Sequence, residues 1–181
     1  MIVIGFVAAI VLFLDQLSKY LVIANLPLLK GMSVSPIRIE VIPGFFEIIH
    51  STNRGGALGL FSGGSPIFLI VGSVGVLVLL FLYWRTKNID GWIRVALGLI
   101  LGGAIGNNLI DRVFRGSVVD WLEFFIGQYH YPTFNIADMS IVTGAIIILW
   151  RTLFTGKKKT ASTEEKQAEP TTPQASVPPQ E

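Results

Sequence analysis

Two aspartates, Asp120 and Asp138, stand in apolar sequence and flank one loop between two long hydrophobic blocks. A carboxylate among apolar side chains loses hydration, which favours its neutral form. Two carboxyl groups at close range share a proton, so one accepts a proton from water while its partner donates to a carbonyl oxygen. This pair therefore favours hydrolysis of a peptide bond without a metal or a covalent nucleophile.

Taken alone, Asp138 is better explained as the N-cap of the helix that follows, because Asp is a preferred capping residue. However, Asp120 and Asp138 flank the same loop and are expected at the same membrane depth, where they can face each other. This favours the catalytic interpretation. The dipole of that helix favours a negative charge on Asp138. We therefore expect the shared proton to rest mainly on Asp120.

Further charges stand where lipid is expected. Asp15 and Lys19 are four residues apart and share a helix face, either as an ion pair that extends to the interface or as a brace for the site. Asp111 follows the third hydrophobic block, at a helix end where the dipole disfavours an anion. Either Arg112 or Arg115 would compensate that charge.

The composition indicates the elements that position these groups. Hydrophobic residues make up 51% of the 181-residue chain and charged residues 14%, whereas soluble proteins carry about 25% charged residues. We predict an all-α membrane protein with four transmembrane helices, a small extracytoplasmic β-sheet and a short interfacial segment. Blocks long enough to cross a bilayer cover about residues 2–23, 66–84, 92–110 and 139–154. We interpret the first as a retained helix rather than a cleavable leader.

Lysines and arginines cluster in the loop around 85–94 and after residue 151, which places these two regions on the cytoplasmic side. With four spans, both termini are cytoplasmic and the loops 24–65 and 111–138 lie outside. The two aspartates are then expected near the outer face of the membrane.

The first outer loop alternates apolar and charged residues, which predicts short strands over about 34–50 with a break at Pro43-Gly44. The glycine-rich segment 55–64 is a candidate interfacial piece or lid over the site. In the third block, Gly98 and Gly102 form a GxxxG pattern that permits close helix packing.

The remaining composition excludes several classes of site. The chain has no cysteine and two histidines, so thiolate and histidine-rich metal sites are excluded, and we expect no metal and no cofactor. A net charge of +2 gives no support for nucleic-acid binding. Residues 1–155 form one predicted domain, and 156–181, rich in Pro, Thr, Gln and Glu, form a predicted disordered cytoplasmic tail.

Five short motifs resemble, in order and spacing, those of the lipoprotein signal peptidase (signal peptidase II) family. They are DQLSK at 15–19, NxG at 53–55, GNNLIDR at 106–112, VVDW at 118–121 and FNIAD at 134–138. Together they cover nearly the whole chain up to about residue 155. Each is weak alone, but the ordered set is specific.

The resemblance implies a multi-pass aspartic protease of the bacterial inner membrane. Such an enzyme removes the signal peptide from diacylglyceryl-modified prolipoproteins, just before the lipidated cysteine, in contact with membrane lipid. Asp120 and Asp138 would be the catalytic dyad. The supporting polar residues would be Asp15, Lys19, Asn53, Asn108, Asp111, Arg112 and Asn135. We also expect a monomer that binds globomycin-type inhibitors.

Two other classes remain as alternatives. A small transporter or channel would use Asp15, Lys19 and Asp111 to line a polar path, and a membrane scaffold would need no chemistry. The acids collect near the outer face rather than along a central path, which disfavours the transporter.

Overall fold

The computed structural model describes residues 2–29, 37–54, 66–85 and 89–167. Within these ranges the helices are α1 (Ile2–Asn25), α2 (Pro66–Arg85), α3 (Gly91–Ala104), which continues as a π-helix (Ile105–Arg115), and α4 (Ile136–Gln167). The strands are β1 (Ile39–Ile42), β2 (Phe46–Asn53), β3 (Val118–Ile126) and β4 (Tyr129–His130). The predicted lid, 55–64, lies outside the described residues.

The chain divides into two compact units, Met1–Ile148 and Leu149–Glu181. The first unit contains every described strand. In the second, the rings of Trp150 and Phe154 lie 4.3 Å apart. Helix α4 extends to Gln167 and so includes residues 156–167, the first part of the predicted tail. Their lysines, glutamates and alanine are good helix formers. The remainder of the predicted tail, 168–181, is outside the described residues.

Three helical stretches of the described chain are long and apolar enough to cross a membrane: Ile2–Asn25, Gly91–Arg115 and Ile136–Phe154. They coincide with the first, third and fourth predicted spans. The second predicted span coincides with α2, a helix of 20 residues. Large apolar side chains on α1, such as Phe6 and Phe13, are exposed, as expected for a surface in contact with lipid.

The third predicted span was too short. Its helix does not end near residue 110 but continues in π-helical form to Arg115 and stops at Gly116, whose φ of 78° gives a left-handed C-cap. The polar pair Asp111-Arg112 suggested an exit from the membrane, whereas the glycine is the actual helix terminator. Asp111 is therefore inside a helix and buried, not at a helix end.

Small residues bring α3 close to its neighbours. A Cβ on Gly98 would lie 2.9 Å from the Ile4 carbonyl oxygen, and one on Gly102 would lie 2.7 Å from that of Ala8. The predicted close packing at this GxxxG pair is confirmed, with α1 as the partner. A Cβ on Gly103 would lie 2.5 Å from the Ala137 carbonyl oxygen, so α3 also packs tightly against the start of α4.

The four strands form one antiparallel sheet in the order β1-β2-β3-β4. The short strands predicted around the break at Pro43-Gly44 are present as β1 and β2, which pair antiparallel, with Gly44 at a φ of 73° between them. The predicted loop 111–138 is corrected, because it contains β3, which pairs with β2. The run VVDWLEFF shows no clean alternation of apolar and polar residues, and the partner of β3 is more than 60 positions earlier in the chain. Periodicity therefore did not indicate this strand.

Candidate active site

Asp120 lies in the middle of β3, with its side chain almost fully buried at 2% exposure. On one edge of the strand it faces Ser51 of β2. On the other edge, the N–H groups of Trp121 and Leu122 donate to the Phe134 carbonyl oxygen at 3.0 and 2.9 Å. Because both edges of β3 are paired at this point, the backbone that carries Asp120 is fixed.

Asp138 lies in the first turn of α4 and is not its N-cap, since the helix begins at Ile136. Asn135 precedes the helix, and its Oδ1 accepts a hydrogen bond from the N–H of Asp138 at 3.0 Å. In return, Asp138 Oδ2 accepts from the N–H of Asn135 at 3.2 Å. This reciprocal pair is a capping box, and it fixes the Asp138 carboxylate against the helix start.

The Asn135 side chain also connects the carboxyl group of Asp120 to the backbone N–H of Asp138. Its Nδ2 donates to Asp120 Oδ1 at 2.7 Å and to the Val119 carbonyl oxygen at 3.2 Å, while its Oδ1 accepts from Asp138 as described. The side chain is fully buried. A single amide with a fixed orientation therefore links both aspartates in one site.

Burial raises the pKa of Asp120 to about 7, and the negative charge of Asp138 adds to this shift. Hydrogen bonds from Asn53 and Asn135 and the positive charge of Lys19 act in the opposite direction. Asn53, at the end of β2, thus interacts directly with Asp120. Near neutral pH, a large fraction of Asp120 carries a proton and is able to donate it.

Below the two aspartates lies a fully buried charge cluster. Lys19 Nζ is 2.8 Å from Asp15 Oδ2 and 2.6 Å from Asp111 Oδ2. None of the three side chains is exposed, so the Asp15–Lys19 pair does not extend to the interface. Arg115 is the arginine that pairs with Asp111, through Oδ1. Both Asp15–Lys19 and Asp111–Arg115 are i,i+4 pairs within one helix.

Each acid of this cluster binds the backbone next to one catalytic candidate. Asp15 Oδ1 accepts from the N–H of Ala137, the residue before Asp138, at 3.0 Å. Asp111 Oδ2 accepts from the N–H of Val119, the residue before Asp120, at 3.3 Å. Lys19 lies between the two acids and therefore fixes the distance between these backbone segments, so the cluster braces the site.

Two side chains outside the predicted set complete the network. Asn107 Oδ1 accepts from Lys19 Nζ at 2.7 Å, and its Nδ2 donates to Asp138 Oδ1 at 2.8 Å. Gln16 donates to Asp15 Oδ2 at 2.9 Å and accepts from Arg115 at 2.8 Å. Both are polar residues inside apolar helices, which are costly in lipid unless they have partners. That cost is the signal by which the sequence could have indicated them.

Two predicted supporting residues lie differently. Asn108 contacts α2, since a Cβ on Gly72 would lie 2.5 Å from its Nδ2. Arg112 has a buried Nε with no hydrogen-bond partner among the described residues. The remaining predicted residues are brought together by the contacts above: Asp15, Lys19, Asn53, Asp111, Asp120, Asn135 and Asp138.

Over the described ranges, no group of three histidine, cysteine or acidic side chains is placed to hold a metal ion. The Lys19 ammonium lies between Asp15 and Asp111 and already supplies the positive charge that these acids need. Asp120 and Asp138 have no such direct partner in the cluster. Hydrogen bonds from Asn135 to Asp120 and from Asn107 to Asp138 hold the two carboxyl groups in place.

The chain combines apolar helices with two aspartates that Asn135 connects by hydrogen bonds. These features define a membrane protein with a candidate two-carboxylate hydrolytic site. Residues 7–154 match the signal peptidase (SPase) II family. The lipoprotein signal peptidase of Desulforapulum autotrophicum is 42% identical over 153 residues, which cover 82% of this chain and 90% of the relative. That of Bacillus pumilus is 41% identical over 157 residues, covering 87% and 96% respectively.

Two solved structures of bacterial membrane enzymes, both obtained by the in meso method, share the fold. One gives a TM-score of 0.71 at 32% identity and covers 85% of this chain and 89% of its own. The other gives 0.68 at 34% identity, covering 82% and 91%. The chain belongs to the signal peptidase II family, and the resemblance noted from the five sequence motifs is confirmed.

Proposed function

We propose that this protein removes the signal peptide from diacylglyceryl-modified bacterial prolipoproteins, cleaving just before the lipidated cysteine, with Asp120 and Asp138 as the catalytic dyad. Family membership supports the activity. The observation that carries the catalytic assignment is the position of buried Asn135, whose side-chain amide donates to the Asp120 carboxyl group and whose backbone N–H donates to the Asp138 carboxylate.

The reaction begins with a water molecule between the dyad and the scissile carbonyl. The carboxylate of Asp138 takes a proton from the water molecule. At the same time the oxygen of that water attacks the carbonyl carbon. Protonated Asp120 gives its proton to the carbonyl oxygen, which forms a tetrahedral diol. The raised pKa of Asp120 supports this order, because it keeps the acid protonated near neutral pH.

Collapse of the diol completes the cleavage. Asp138 passes its proton to the cysteine nitrogen, the C–N bond breaks, and one hydroxyl proton of the diol returns to Asp120. The products are a signal peptide with a free carboxylate and a lipoprotein with a free amino group on its lipidated cysteine. Both carboxyl groups regain their starting protonation states.

The membrane arrangement is part of the proposal. Four spans, with α2 as the second, leave both termini in the cytoplasm and the dyad near the outer face of the inner membrane. A lipid-anchored substrate then reaches the site within the bilayer, and a monomer is sufficient because every proposed catalytic group comes from one chain. Asn108 and Arg112 are expected to contact substrate or a globomycin-type inhibitor rather than the dyad.

The test is cleavage by the purified full-length protein in lipid bilayers. A diacylglyceryl-modified prolipoprotein should lose the mass of its signal peptide, whereas the unmodified precursor should remain intact. Chelators and serine reagents should not affect the rate. Processing of the unmodified precursor at the same rate would refute the substrate class, and full activity of Asp120→Asn would refute the dyad.

A further inference from the structure

We infer that Asn107 is a positioning residue that couples the buried charge of Lys19 to the carboxylate of Asp138. The inference rests on the proposed function, because it assigns a role within the same dyad. Asn107 lies within the GNNLIDR motif but is not one of the residues that were predicted to act in the site.

The orientation of the Asn107 amide is determined by its neighbours. An ammonium group has only donors, so the Asn107 atom that faces Lys19 Nζ at 2.7 Å is Oδ1. The Nδ2 group consequently points toward Asp138, whose Oδ1 it meets at 2.8 Å. Asn107 is 6% exposed, so water does not compete for either bond.

Asn135 supports the same orientation. Its Nδ2 donates to Asn107 Oδ1 at 3.2 Å, which gives that oxygen a second donor. A flipped amide would place a donor against both Lys19 and Asn135, and it would leave Asp138 facing an oxygen. The charge on Lys19 therefore ensures that a donor, and not an acceptor, faces Asp138.

One turn of the π-helical segment contributes two contacts to Lys19. Its buried residues are Gly106, Asn107 and Asp111, and both polar ones contact Nζ, at 2.7 and 2.6 Å. A π-turn is wider than an α-turn, with hydrogen bonds from i to i+5. A continuous path of contacts thus runs from Arg115 through Asp111, Lys19 and Asn107 to Asp138.

The chemical consequence is a carboxylate whose two oxygens are each held by a hydrogen-bond donor. Asp138 Oδ1 accepts from Asn107, and Oδ2 accepts from the N–H of Asn135. The other charged groups that act on Asp138 are Lys19, Asp15 and its dyad partner Asp120. The hydrogen bond that Asn107 donates favours the ionised form of Asp138, which is the form that accepts a proton from water.

The test compares Asn107→Leu and Asn107→Asp with wild type, in bilayers, on a lipidated prolipoprotein. Leu has a similar volume but no amide, and Asp has the same shape but no donor. For both variants we expect kcat to fall by roughly 10- to 100-fold, with KM within twofold. The acidic side of the pH–kcat profile should move to higher pH by roughly one unit, the equivalent of one charge-assisted hydrogen bond.

A matched control is Ser140→Ala. Ser140 is buried close to the dyad, but within the part of the chain that the structure describes its hydroxyl bonds only to the Ile136 carbonyl oxygen, at 2.8 Å. A general loss of packing at the start of α4 would lower kcat in Ser140→Ala too and would leave the shape of the pH profile unchanged. If Asn107→Leu does not fold, Asn107→Asp, which retains the Lys19 contact, provides the same measurements.

The outcomes separate this inference from the proposed function. An unchanged pH profile in an active Asn107 variant would overturn the role of Asn107. The dyad would still stand in that case, provided that wild type cleaves the substrate and Asp120→Asn does not. Absence of cleavage by wild type overturns the proposed function instead. The expected result is a shifted acidic limb in both Asn107 variants and an unshifted one in Ser140→Ala.

Discussion

Asp15 accepts a hydrogen bond from the N–H of Ala137 across the interface of α1 and α4. Ala137 directly precedes Asp138, so a residue of the first helix positions the backbone of a proposed catalytic residue more than 120 positions later. Asp111 has the same relation to Val119 and thus to Asp120. The buried cluster thus positions the two carboxyl groups through the main chain.

The Asp120→Asn variant should lose cleavage while remaining folded. An amide cannot donate a proton to the carbonyl oxygen, and general acid catalysis contributes roughly 10²- to 10⁴-fold. Asn has the same shape and is able to keep the contact with Asn135. Single-turnover cleavage and thermal unfolding of the same preparation are the measurements. A large loss of thermal stability would mean that the activity reports folding rather than catalysis.

Protonation of Asp120 should make stability depend on pH in a defined direction. Its pKa rises from 3.8 in the unfolded chain to about 7 in the folded protein, so the folded state binds more protons between these values. The contribution is therefore greatest at low pH and is lost as pH rises toward 7, with a limiting slope of about 1.4 kcal/mol per pH unit. The free energy of unfolding is measured from pH 5 to 8 for wild type and for Asp120→Asn. The difference between the two proteins should show this slope. Parallel curves for the two proteins would contradict the assignment.

Lys19→Met should destabilise the protein strongly. The substitution keeps the apolar stem but leaves Asp15 and Asp111 buried without their shared cation, a change that costs about 3–5 kcal/mol. Resistance to denaturant in detergent measures the effect. Ser18→Ala is the adjacent control, because its hydroxyl bonds only to the Asp15 carbonyl oxygen, and we expect a loss of about 1 kcal/mol or less. Equal losses in the two variants would argue against the brace.

Gly103→Ala should reduce both stability and turnover. The added methyl would lie 2.5 Å from the Ala137 carbonyl oxygen, which forces α4 away from α3, at a cost of about 1–3 kcal/mol. The displaced residue precedes Asp138, so kcat should fall as well. Gly5→Ala is the control, with no atom within 4 Å of its Cβ, and helix propensity predicts a gain of up to about 1 kcal/mol. A stable, fully active Gly103→Ala would show that this contact does not position the dyad.

The sequence allowed the apolar helices and the short strands β1 and β2 to be predicted, because length, hydropathy and alternation are local signals. The helix of the third block extends beyond the predicted end near residue 110, since the polar Asp111 was taken as an exit from the membrane when it is buried and paired with Lys19. β3 depends on pairing with β2, and the orientation of Asn107 depends on the π-turn and on Lys19. Such contacts between distant segments leave no periodic trace in a single sequence.

The pairing of each cluster acid within its own helix has a consequence for biogenesis. Asp15 and Lys19 are i,i+4 on α1, and Asp111 and Arg115 are i,i+4 on the π-helical segment. A charged residue in the bilayer core is costly, but each of the two acids has a counter-charge within its own helix, and α1, whose charged residues are Asp15 and Lys19, is neutral as a whole. The first helix thus does not require the third to be synthesised before it inserts. The cluster then forms laterally, when Lys19 meets Asp111 between two helices that are already within the membrane.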